Sequence, residues 1–137
     1  MRNTLFILFV LISSVVFSQE ESIESPKIAI KISLGETIIL KNHSIKFIEV
    51  LEDSRCPENT TCIWEGRARV LVEISEKEKE SFQKTLIFGK VNQGESDDKE
   101  LFSFNNSKVI GMTLNPYPNS EEAVKGNTYA LLVYIEK

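Results

Sequence analysis

The chain has 137 residues, with 16 Lys and Arg against 20 Asp and Glu, for a formal charge of −4. A surface of that sign repels phosphate backbones, and no Lys/Arg cluster offsets it, which argues against a nucleic-acid partner. Two cysteines spaced C-x5-C and a single histidine do not make the paired ligand sets of a zinc or redox centre.

In chain order, Arg2 followed by the apolar block Leu5–Phe17 has the form of a signal peptide over residues 1–18, cut between Ser18 and Gln19. The block is shorter than the ~18–20 residues that span a bilayer, so no membrane span is expected after cleavage. Losing Arg2 makes the mature chain one unit more acidic. Residues 19–26 (QEESIESP) form a polar, flexible lead-in, and 27–137 suit one domain.

From Ile28 onward the pattern is of short β runs divided by turn chemistry. Ile28, Ile30 and Ile32 alternate with Ala29 and Lys31, and the turn Leu34-Gly35-Glu36 leads into Thr37–Leu40. A turn at Lys41–Ser44 precedes Ile45–Leu51, whose apolar residues switch face between Phe47 and Ile48, the mark of a bulge or a doubly buried strand. Arg67–Ile74 alternates cleanly, with Ala68, Val70, Val72 and Ile74 on one face. A charged tip at Glu76–Glu80 precedes Phe82–Phe88, and a polar loop follows over Gly89–Lys99. Glu100–Phe104 and Lys108–Leu114 are the next runs, then the turn Asn115–Asn119 and a last run, Thr128–Ile135. Glu76–Lys84 and Ser120–Lys125 tolerate helix but lack an apolar stripe. The expected fold is all-β, an antiparallel β-sandwich of the immunoglobulin-like kind with roughly seven or eight short strands, or a small barrel.

The segment Asp53–Gly66, DSRCPENTTCIWEG, concentrates the distinctive chemistry. In an exported chain Cys56 and Cys62 are expected to pair. A ring this small stabilises by about 2 kcal/mol in the chain-entropy model. Asp53 and Arg55 are spaced to meet across a turn, and Pro57 fixes the backbone after Cys56. Trp64 is expected to pack against the disulfide, and Gly66 permits close backbone approach. The bland function of such a loop is a rigid corner between strands. The sharper one is a pre-stiffened recognition loop with a low ordering cost on binding.

DSRCP followed by four residues and C-x-W-x-G, with Pro116-Tyr117-Pro118 before the last strand, resembles a motif of small exported bacterial proteins to which no activity is assigned. The Ser-Gln junction is similar to signal peptides of the Bacteroidota type. The resemblance is close over 53–66 and loose from Gly35 to the C-terminus. It implies a secreted β-sandwich and transfers no catalytic residue.

Other candidates are weaker. His43, in the Lys41–Ser44 turn, is expected to be exposed and idle. There is no G-x-S-x-G, and the expected disulfide would consume both thiols. Glu49, Glu52, Asp53 and Glu65 lie near the structured loop, but solvated charges and structural ion pairs are the ordinary fate of such groups. Asp97-Asp98-Lys99-Glu100 lacks EF-hand spacing. Tyr117, between two prolines, is a stiff aromatic suited to anchor a partner or to plug the end of the sandwich, with Tyr117–Pro118 a candidate cis bond. The three N-x-S/T matches at Asn42, Asn59 and Asn105 fall in turns, where these residues gather anyway.

These readings converge on a secreted or periplasmic, non-enzymatic binding or structural module with no cofactor or metal. Its partner would be an unknown protein or glycan of the cell envelope or medium, met at Trp64 and Tyr117. The rival readings are an inhibitor of a secreted hydrolase and, last, a small carboxylate- or metal-dependent enzyme.

Overall fold

A computed structural model describes residues 27–119 and 128–137. The signal peptide, the lead-in and the Ser120–Lys125 stretch lie outside the described residues. Every described element is a strand: β1 (Ala29–Ser33), β2 (Thr37–Leu40), β3 (His43–Asp53), β4 (Arg67–Glu76), β5 (Phe82–Gly89), β6 (Glu100–Phe104), β7 (Ser107–Asn115) and β8 (Ala130–Glu136).

They form two four-stranded antiparallel sheets, β1-β8-β7-β6 and β2-β3-β4-β5. The second sheet is a meander of consecutive hairpins, and the first takes β1 onto the returning strands β6–β8. The two sheets pack face to face as a sandwich, each keeping two edge strands, so the small-barrel alternative is not realised.

The alternation in β4 places Ala68, Val70, Val72 and Ile74 in the core. They meet Ile45 and Phe47 of β3, Leu86 and Phe88 of β5, and Ile32, Val109, Leu114, Leu131 and Val133 of the other sheet. Period-two apolar residues on both sheets thus close one shared interior. The face switch in β3 is a bulge: register shifts between Phe47 and Glu49 and again between Val50 and Glu52.

Two expectations need correction. The turn before β3 uses only Lys41 and Asn42, with Lys41 at φ 58°, because Leu40 pairs directly with His43. His43 is therefore the first residue of β3, half-buried, with its ring stacked on Phe102 at 4.1 Å and Nε2 3.6 Å from a Glu76 carboxylate oxygen. The cis bond lies at Asn115–Pro116 rather than at Tyr117–Pro118.

Register then sets the geometry that matters. β3 ends and β4 begins with Asp53 opposite Ala68, and β7 ends and β8 begins with Asn115 opposite Ala130. The Ser54–Gly66 loop and the Pro116–Asn119 turn consequently leave the same end of the sandwich, one from each sheet.

Candidate functional site

At that end an arginine joins the two sheets. Arg55 donates from Nε and Nη2 to the two carboxylate oxygens of Asp53, each at 2.8 Å. It also donates from Nη1 to the Leu114 carbonyl at 2.6 Å and from Nη2 to the Pro116 carbonyl at 3.0 Å. Its planar fork suits this set, two oxygens of one carboxylate plus carbonyls at the end of the facing sheet. The Tyr117 ring lies over the guanidinium at 4.7 Å, and the Tyr129 hydroxyl donates to Asp53 at 2.9 Å. The pair is buried, with side-chain exposures of 6% for Arg55 and 8% for Asp53.

Burial works to raise the Asp53 pKa, but hydrogen bonds from Arg55 and Tyr129, with the guanidinium charge, outweigh it and hold the carboxyl below its usual range. Tyr129 moves the other way: desolvation, reinforced by its bond to the Asp53 carboxylate, pushes the phenol up to about 12. Tyr129→Phe is expected to lose about 1–3 kcal/mol at neutral pH, since the hydroxyl donates to a charged, buried acceptor. The wild-type stability owed to this phenol persists below its unfolded pKa near 10 and disappears as pH rises through about 12. Urea titrations at pH 7 and above pH 10 should show the variant free of that alkaline loss.

Above this pin sits the loop. Cys56 and Cys62 are joined as a disulfide, with Cα atoms 5.9 Å apart. The base is closed by the Ser54 N–H donating to the Arg67 carbonyl at 2.8 Å and by the packing of Gly66, where a Cβ would stand 2.1 Å from the Ser54 oxygen. Pro57 accepts from the Thr60 N–H at 3.1 Å, closing a turn inside the ring. The Glu58 N–H reaches the Pro118 carbonyl at 3.1 Å, and the Asn59 side chain meets that of Asn119 at 3.4 Å. The loop and the proline turn are one structural unit.

Sequence reasoning paired Asp53 with Arg55 and Cys56 with Cys62, and it placed Pro57 and Gly66 as loop-structuring residues. It missed Tyr129 and the Leu114 and Pro116 carbonyls. Trp64, expected beside the disulfide, is 60% exposed, and its neighbour Ile63 is 99% exposed. The signal for this was present, because adjacent large apolar residues in a short loop cannot both turn to the core. Tyr117 lays its ring over Arg55 and keeps 43% of its surface open.

The remaining candidates are ion-paired or exposed. Glu52 accepts from Arg67 Nε at 3.0 and 3.1 Å, which lowers its pKa, and Arg67 also meets Glu95. Asp98 pairs with Lys84 at 2.6 Å, Glu100 with Lys108 at 2.8 Å, and Asp97 with Lys99. Glu49 and Glu65 are exposed. Among the described residues no group of three or more His, Cys, Asp or Glu is placed to hold a metal ion, and no helix is long and apolar enough to cross a membrane.

The chain is thus a small, disulfide-stapled, all-β domain with a buried ion pair under the loop that carries the disulfide. Comparisons with family models, with curated proteins and with solved structures find no match.

Proposed function

We propose that the mature chain is a non-enzymatic binding module acting outside the cytoplasm, akin to the small exported bacterial proteins whose motif it resembles. It recognises a protein or glycan partner through Ile63, Trp64 and Tyr117. One observation carries this reading: the most exposed large apolar side chains of the loop stand on a base pinned by buried, hydrogen-bonded Arg55. A loop already held in shape loses little freedom on association, and a Trp or Tyr on it can act as a hot spot.

The charged residues of the Cys56–Gly66 segment are Glu58 and Glu65, both exposed, so a partner that offers basic groups beside an apolar recess is the complementary surface. The narrow, outward Ile63-Trp64 pair also suits insertion into an enzyme cleft, which keeps the hydrolase inhibitor as the second reading.

The test is affinity capture from the envelope and medium of the producing cells with wild type and with the Trp64→Ala/Tyr117→Ala variant. A partner held by wild type should be lost, with affinity reduced about 30-fold or more if either aromatic is a hot spot worth at least ~2 kcal/mol. The variant's melting should fall by no more than a few degrees, because Trp64 is mostly exposed and only one face of Tyr117 is engaged. Undiminished capture by the folded variant would contradict the assignment. A secreted hydrolase recovered in stoichiometric amount would select the inhibitor reading.

A further inference from the structure

The base of the loop and its tip are held by different means. Residues 54–55 and 66–67 are fixed by the Ser54–Arg67 hydrogen bond, the four Arg55 bonds and the close seat of Gly66 on Ser54, none of which involves sulfur. No hydrogen bond ties Thr61, Ile63, Trp64 or Glu65 to another described residue. That tip is tethered at Gly66 on one side and through the Cys62 sulfur on the other. Both cysteines are only half-buried, so a small thiolate can reach the bond.

We propose that the Cys56–Cys62 disulfide is a reversible dithiol-exchange site that fixes or frees the Ile63-Trp64 surface while the sandwich stays folded. The co-reactant is a dithiol. Its thiolate attacks one sulfur and displaces the other as a thiolate, giving a mixed disulfide; its second thiol then attacks that bond and leaves oxidised as a disulfide. Cys56 and Cys62 together gain two electrons and two protons, and the dithiol loses the same. Opening the ring removes one of the two tethers that flank Trp64 but none of the bonds at the base. The consequence for binding rests on the contact surface proposed above.

The experiment uses dithiothreitol on the purified mature protein, with alkylation and intact mass to count freed thiols, and hydrogen exchange to follow each segment. Reduction under native conditions should label both cysteines. The amides of Glu58 and Thr60, which donate to the Pro118 and Pro57 carbonyls, should then exchange about ten-fold faster or more, while those of β3, β4 and β7 keep their protection. The Cys56→Ser/Cys62→Ser variant should show the same fast Glu58 and Thr60 amides and protected core without reductant.

Failure of dithiothreitol to open the bond in the folded protein, loss of core protection on reduction, or Glu58 and Thr60 amides that exchange equally slowly in both forms would each overturn the proposal. Because exchange is read with no partner present, these outcomes are distinct from a failed search for one.

Discussion

Arg55→Leu is expected to remove roughly 3–5 kcal/mol of stability, the usual effect of deleting one partner of a buried ion pair. The melting temperature should fall by about 10–25 °C. Leucine fills part of the volume but leaves Asp53, at 8% exposure, without its counter-charge, and leaves the Leu114 and Pro116 carbonyls without their donor. The pH dependence carries a second, more specific signature. In the wild type the Asp53 pKa is depressed, so its contribution is complete above the unfolded value near 3.9 and is lost only as pH falls through the lower folded value. Without the guanidinium, burial dominates and raises that pKa, so ionised Asp53 becomes a liability that protonation relieves. The gap between variant and wild type should therefore be widest at neutral pH and narrow below about pH 4. Urea denaturation at pH 7 and pH 3 measures both, and a gap independent of pH would remove Asp53 from the explanation.

Gly66→Ala is expected to be of similar severity, about 3 kcal/mol or more, for a different reason. The added Cβ would stand 2.1 Å from the Ser54 oxygen, 2.7 Å from Arg55 Cα and 2.8 Å from the Ser54 carbonyl carbon. All three are backbone atoms, so no side-chain rotation relieves the overlap and the segment Ser54–Arg55 must move. That motion would break the Ser54–Arg67 bond and displace the guanidinium from its carbonyls. The neighbouring Gly89 packs against the Gly66 oxygen, where its own Cβ would sit at 2.5 Å, so the strain passes on to β5. Thermal unfolding of Gly66→Ala, beside Gly35→Ala as a control where a Cβ would meet nothing within 4 Å, separates close approach from the strain of positive φ that Gly35, at 82°, would itself show. Equal losses in the two variants would contradict the packing argument.

Much of this architecture was legible in the order of residues. Alternation alone predicts the core face of β4, because period-two placement and a shared interior are the same fact seen twice. The bulge in β3 shows as a phase switch at Ile48, and the disulfide and the Asp53–Arg55 contact follow from spacings of a few residues. What was not legible depends on distance along the chain. Arg55 meets carbonyls 59 and 61 residues away, and Asp53 meets a hydroxyl 76 residues away. A backbone carbonyl carries no side-chain signature, and Tyr129 sits in phase with Leu131 and Val133 as if it were merely the next core residue. His43 was misplaced by one turn type, since Lys41 takes a positive φ and shortens the connection. The 60% exposure of Trp64 was not legible in the spacing either, because distance along the chain from Cys62 does not fix which way a loop side chain faces.

The proposed contact surface and the proposed exchange site, like the arginine pin, depend on Arg55 and Asp53 acting as one unit that locks the loop to the facing sheet. A double-mutant cycle with Arg55→Ala, Asp53→Ala and the combined variant, read by urea denaturation at pH 7, measures that coupling directly. The two residues are predicted to couple by more than about 2 kcal/mol, so the double variant should be far less destabilised than the sum of the singles. Simple additivity of the two losses would contradict the account.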